Sequence, residues 1–196
     1  PDNEHLVTAS MDKTARVWYA QTGHLLARLD GHTGRVLHAA YRDDGRRIVT
    51  SSTDQTARIW DADSGRPLAR LWGHSARVLR AAYRRDGQRI VTVSDDRKAR
   101  VWEAEDGRPQ VRLAEPELAT VHAAWSPDGQ SIATASRDPI TRIWDASSGR
   151  LTAQTLSLPG TETTLVTYSP NGHRLLTASL DSTVRVWEVR SGQLLA

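Results

Sequence analysis

The chain has 196 residues, of which 38% are hydrophobic and 25% charged, with no cysteine and a formal net charge of +3. That length suits one domain of about 150 residues or part of a larger one, and the lack of cysteine excludes disulfides, thiolate metal sites and cysteine nucleophiles. No apolar run approaches the roughly 18 residues of a membrane span, and the charged start PDNEH is unlike a signal peptide, so a cytoplasmic protein without membrane contact is expected.

Lys13 and Lys98 are the only lysines, which leaves 24 of the 26 cations as Arg. Such Arg-rich, Ala-rich usage is what a GC-rich bacterial genome encodes. The first residue is Pro1, so a piece of a longer or processed protein is expected.

In chain order, residues 36–41 (VLHAAY) form a short apolar run, and Asp43-Asp44-Gly45 marks a turn after it. Residues 48–52 (IVTSS) and 56–60 (TARIW) are β-rich runs separated by the tight turn Thr53-Asp54-Gln55. Asp63-Ser64-Gly65-Arg66-Pro67 then breaks the chain before a fourth run at 68–71. The unit recurs. An Asp, five residues and a Trp stand at 12–18, 54–60, 96–102, 138–144 and 181–187, each Trp preceded by Arg and a β-branched residue. Trp18, Trp60, Trp102, Trp144 and Trp187 are therefore 42, 42, 42 and 43 residues apart. No comparable stretch has a helical period. The prediction is all-β, with four short antiparallel strands per repeat, and repeats that bury their faces only by packing on one another.

These features resemble the WD-repeat β-propeller family. Trp-Asp stands at 60–61 and 144–145 and Trp-Glu at 102–103 and 187–188, while Tyr19 follows Trp18. Gly-His precedes the Trp at Gly31-His32 and Gly73-His74, and the turns Ser-Pro-Asp-Gly and Ser-Pro-Asn-Gly begin at Ser126 and Ser169. The resemblance covers the whole chain as a single propeller segment. It implies a partial blade 1 (1–30), blade 2 (31–72), blade 3 (73–114), blade 4 (115–157) and blade 5 (158–196) with its fourth strand cut short. The incomplete ends point to a fragment of a longer propeller.

The resemblance also implies a hydrogen-bonded clamp inside each blade. Carried over, it comprises His32, Ser52 (or Thr50), Asp54 and Trp60 in blade 2, and His74, Ser94, Asp96 and Trp102 in blade 3. A hydroxyl, an imidazole and a carboxylate also suggest a hydrolase triad. Recurrence together with a Trp, and the absence of a nucleophile elbow, favour the clamp and no enzyme. Pro116 and Pro159 occupy the His position in blades 4 and 5, which predicts altered partners for Asp138 and Asp181. The seven His residues make no metal-ligand spacing, His38 and His122 sit at equivalent strand positions, and no cofactor motif is present.

Propellers of this kind bind proteins or peptides through the loops before the first strand and between the second and third. Here those loops carry Met11, Thr33, Arg35, Thr53, Ser75, Arg77, Asp95, Glu117, Ala119, Arg137, Gly160, Glu162 and Leu180. Arg35, Arg77 and Arg137 are expected to read acidic groups. On the opposite face Arg42, Arg46, Arg47, Arg66, Arg84, Arg85, Arg89 and Arg108 interleave with acids, without stacking aromatics, so nucleic acid is not favoured. The expected function is a non-enzymatic platform for a protein or peptide partner, such as the docking end of a signalling protein. The alternative is self-assembly, in which copies complete one another's blades in a larger ring.

Overall fold

Asp or Asn turns recurring every few residues between β-branched runs leave the chain little choice but short antiparallel meanders. The computed structural model describes residues 3–114, 120–156 and 162–196. Blade 1 holds β1 (His5–Ala9), β2 (Ala15–Tyr19) and β3 (Leu25–Leu29). Blade 2 holds β4 (Val36–Tyr41), β5 (Arg47–Ser52), β6 (Ala57–Asp61) and β7 (Pro67–Leu71), and blade 3 holds β8 (Val78–Tyr83), β9 (Arg89–Ser94), β10 (Lys98–Glu103) and β11 (Pro109–Ala114). Blade 4 holds β12 (Thr120–Trp125), β13 (Ser131–Ser136), β14 (Ile140–Asp145) and β15 (Leu151–Leu156), and blade 5 holds β16 (Thr163–Tyr168), β17 (Arg174–Ser179) and β18 (Val184–Glu188). Sheets 2, 3 and 4 are four-stranded, sheets 1 and 5 three-stranded, and each is ordered as its strands follow in sequence. After β18 the chain returns to it, bridging Trp187 with Leu194 and exchanging backbone hydrogen bonds between Val186 and residues 195–196. The expected blade boundaries at 115 and 158, with Pro116, Glu117, Ala119, Pro159 and Gly160, lie outside the described residues.

The third strand of blade 2 begins at Ala57, one residue later than the sequence suggests, because Thr56 belongs to the turn. Its N–H and Oγ1 both donate to Asp54 Oδ1, at 3.0 and 2.6 Å. The residue after the turn Asp is left-handed in four blades, at Lys13, Gln55, Arg97 and Ser182, with φ of 74°, 71°, 65° and 62°. Blade 4 has Pro139 there, whose ring fixes φ near −65°. Its turn is consequently built differently, and Asp138 O accepts from Thr163 N of the next blade at 3.2 Å.

The blades stack face to face, each burying its Trp face against the preceding blade. Trp60 and Ile48 pack on Ala15, Val17 and Leu29, and Trp102 and Ile90 pack on Val49, Ile59 and Leu71. Trp144 and Ile132 pack on Val91 and Val101, and Trp187 and Leu175 on Ala133 and Ile143. Each such aliphatic side chain contributes roughly 1.5–3 kcal/mol by leaving water. The first strands β4, β8, β12 and β16 meet one another in series and form the inner wall. Each carries a bulge before its third or neighbouring residue, at Val36/His38, Val78/Arg80, Thr120/His122 and Thr163/Leu165. A bulge re-aims the following side chain.

Two glycines separate backbone strain from close approach. Gly23 and Gly65 both have φ of +69°, but a Cβ on Gly23 meets nothing within 4 Å while one on Gly65 lies 2.9 Å from the Arg28 carbonyl oxygen of the preceding blade. Gly23→Ala should cost about 1 kcal/mol of strain alone, and Gly65→Ala about 2–3 kcal/mol because the blade contact must also open. Thermal unfolding of the two variants measures the difference; equal losses would show that the blade contact yields freely.

Candidate interaction surface and the clamps beneath it

In blades 2 and 3 the connection leading into the first strand and the turn between the second and third strands meet at one edge. Two blades pin this edge with a complete clamp. In blade 2, Trp60 Nε1 donates to Thr50 Oγ1 at 2.8 Å, Thr50 Oγ1 lies 2.7 Å from His32 Nε2, and His32 Nδ1 lies 2.8 Å from Asp54 Oδ2. In blade 3, the corresponding distances through Trp102, Thr92, His74 and Asp96 are all 2.8 Å. A neutral His protonated at Nδ1 satisfies every member, because indole only donates and carboxylate only accepts.

The hydroxyl is thus Thr50 rather than Ser52, and Thr92 rather than Ser94. Trp60 pairs directly with Ile48, so Thr50 is the diagonal neighbour on the same face, within reach of an indole. Ser52 lies two residues further along, about 7 Å away. Its Oγ instead accepts the Asp54 N–H at 3.1 Å, and Ser94 Oγ does the same for Asp96 N–H. Burial pushes the Asp54 carboxyl up, but hydrogen bonds from His32 and Thr56 outweigh it and leave the pKa well below the ordinary value. Burial lowers His74 in spite of Asp96. Thr50 and Thr92 are 0% and 1% exposed, which bars either from attacking a substrate.

The Trp–Thr bond recurs in blades 1, 4 and 5, through Trp18–Thr8, Trp144–Thr134 and Trp187–Thr177 at 2.8, 2.9 and 2.9 Å. Their turn carboxylates take Arg as partner: Arg16–Asp12, Arg142–Asp138 and Arg185–Asp181, at 2.6, 2.7 and 2.8 Å. Where His holds the Asp, the equivalent Arg58 and Arg100 turn aside, and their buried Nε atoms have no partner. Burial depresses both guanidinium pKa values. The signal was present in sequence, as an Arg two residues before every repeat Trp, but its partner is visible only in three dimensions.

In blades 2, 3 and 5, backbone bonds join predicted surface residues in pairs. Thr53 N donates to Arg35 O at 2.9 Å, Asp95 N to Arg77 O at 3.1 Å and Leu180 N to Glu162 O at 3.0 Å. Thr33 N and Ser75 N donate to the clamp carboxylates of Asp54 and Asp96 at 3.0 and 3.1 Å. Arg35 and Arg137 are exposed, as are Met11 and Leu180 at 73% and 67%. Arg77 differs from expectation: it is ion-paired with Asp95, so its guanidinium is already engaged. Sequence reasoning passed over Trp72, 73% exposed in the connection leading to Gly73-His74. Only its position outside the 42-residue Trp series marks it.

On the opposite edge the arginines are largely neutralised. Arg42 pairs with Asp44, Arg84 with Asp86, Arg108 with Asp106 and Arg47 with Glu105, at 2.6, 2.5, 2.5 and 2.8 Å. Among the described residues no three His, Asp or Glu side chains are placed to hold a metal ion, and no helix is long and apolar enough to cross a membrane.

Five antiparallel sheets packed face to face through recurring Trp faces define a β-propeller of the WD type, a domain that generally mediates protein–protein contact and does not belong to an enzyme family. A family model matches residues 1–196, and the chain belongs to the family of the IFT122 first β-propeller. IFT122 is eukaryotic, so the match lends no support to the bacterial source expected from composition. A comparison with curated protein sequences finds no match.

Proposed function

We propose that the chain is a non-enzymatic platform whose clamp-supported edge receives a protein or peptide segment in the cytoplasm. The observation that carries this reading is the exposure of Arg35 and Trp72 in the connections that lead into the two clamped blades, with Met11, Arg137 and Leu180 exposed on the matching turns of blades 1, 4 and 5. Exposed aromatic and Arg side chains on a rigid support are the usual anchors of an interface. Arg35 and Arg137 supply forks for acidic groups, whereas Arg77 contributes through its pair with Asp95. Peptides selected from a random display library against the chain test the proposal. Binding should weaken about tenfold or more in Arg35→Glu combined with Trp72→Ser, a loss of at least about 1.4 kcal/mol, and should survive Arg66→Glu on the opposite edge. Binders that respond only to the opposite edge would refute it.

A second reading, self-assembly, is favoured by the outer faces of the end blades. Leu6 is 56% exposed where the equivalent Ile48 is at 0%, and Val184 is 59% exposed where Ala57 is at 1%. The outer face of blade 5 presents Leu176, Ala178, Val184 and Val186 at the positions that blade 2 fills with Val49, Ser51, Ala57 and Ile59. Light scattering across a concentration series should then give a discrete oligomer that Val184→Asp disperses. A constant monomer mass would remove this reading.

A further inference from the structure

We propose that Arg80, flanked by His38 and His122, forms a carboxylate-binding site on the inner wall of the blades. The three residues hold the same position on β4, β8 and β12, 42 residues apart, and the row ends at Leu165 on β16. A cavity of about 70 Å³ opens among them, lined also by Ala81, Ala82, Val91, Val93 and Ala123. The site is distinct from the clamp-supported edge and does not depend on that reading.

The donor inventory sets the ligand class. Arg80 Nη1 lies 3.0 Å from His122 Nε2, and a guanidinium nitrogen only donates, so Nε2 accepts and the ring proton resides on Nδ1. That Nδ1 is buried without a hydrogen-bond partner, and so is Nδ1 of His38. Among the described residues no carboxylate pairs with Arg80, in contrast to Arg42, Arg47, Arg84 and Arg142. A guanidinium with free N–H groups beside an orphaned imidazole N–H is a set of donors around positive charge. It repels a cation and fits a planar anion that accepts two bonds. A cavity of that size admits several waters, so it has room for a carboxylate with a short stem. Burial and the Arg80 charge hold both imidazoles down to about 4, and His38 adds to the effect at His122. A bound anion opposes that shift.

The carboxylate can come from a free small acid or from an acidic residue or chain end of a partner. Imidazole resonances of the 196-residue chain, followed by long-range proton–nitrogen NMR, distinguish these sources. Sodium acetate is titrated against sodium chloride at equal ionic strength, and then blocked aspartate and free-C-terminus triglycine are titrated separately. The expected result is a saturable shift of the His122 and His38 signals with a carboxylate and not with chloride. Both pKa values should rise by about one unit. Saturation by either peptide at concentrations about tenfold below acetate assigns the source to a partner; the reverse order assigns it to a free acid. Arg80→Gln should abolish the response, and Arg80→Lys, which keeps the charge but loses the fork, should weaken it about tenfold. No saturable shift with any carboxylate in the wild-type chain, or an equal shift in a folded Arg80→Gln chain, overturns the proposal.

Discussion

Asp54→Ala should destabilise the protein by about 3–4 kcal/mol, while His32→Ala should cost only about 1–2 kcal/mol. The carboxylate of Asp54 accepts from His32 Nδ1, Thr33 N, Thr56 N and Thr56 Oγ1 at 2.8, 3.0, 3.0 and 2.6 Å. Its removal strands these donors in or near the blade interface, and an unpaired buried donor costs more than the bond it loses. Loss of the imidazole leaves three of those bonds in place and frees room for Arg58. Arg58 stands at the position from which Arg16, Arg142 and Arg185 hold the turn carboxylates of the other blades. Its Nε is buried without a partner, and its Cζ rests 6.0 Å from the Trp60 ring centre. Arg58 should therefore swing onto Asp54 when His32 is gone. Thermal unfolding reads the difference at about 2–4 °C per kcal/mol for a chain of this size. The double variant His32→Ala, Arg58→Ala should lose about 1 kcal/mol more than its single variants summed, a coupling expected of residues that replace each other. Simple additivity would mean that Arg58 stays where it is.

Acid should weaken the fold well before its carboxylates titrate. His38 and His122 are held down to about 4 by burial and by Arg80, from an ordinary value near 6.5, and His74 is lowered by burial. The groups that face them are Arg80 for both inner-wall residues and His38 for His122, all of which oppose protonation; the Ala81 backbone alone favours the charged form of His38. Below pH ~6.5 the unfolded chain takes up protons that the folded chain refuses, so stability is complete above that pH and falls as pH drops toward 4. Discounted for partial solvent access, the two inner-wall residues account for roughly 1–2 kcal/mol each. Asp54 and Asp96, whose folded pKa values are depressed, lose their contribution only as pH falls below the ordinary carboxylate range. Denaturant unfolding at stepped pH should show two separate declines. The double variant His38→Gln, His122→Gln should flatten the upper one and leave the lower; an unchanged upper decline would contradict the assignment.

The repeat determined most of the architecture from sequence alone. An Asp and a Trp at fixed spacing, recurring five times between turn residues, specify antiparallel meanders, the faces that must be buried and the edge on which the variable loops gather. Those properties are local, since strand period and turn chemistry act over a few residues. Tertiary structure decided what depends on reach across strands and between blades. Thr50 rather than Ser52 meets Trp60 because register, not residue type, sets which hydroxyl lies diagonally opposite the indole. Arg replaces His at Asp12, Asp138 and Asp181, and Arg77 spends its charge on Asp95, because guanidinium position follows from packing. Arg80 and His122 stand 42 residues apart and meet at 3.0 Å only because two bulged inner strands lie side by side. A one-dimensional pattern carries the period of such residues but not the direction of their side chains, which the bulges and the stacking of blades impose.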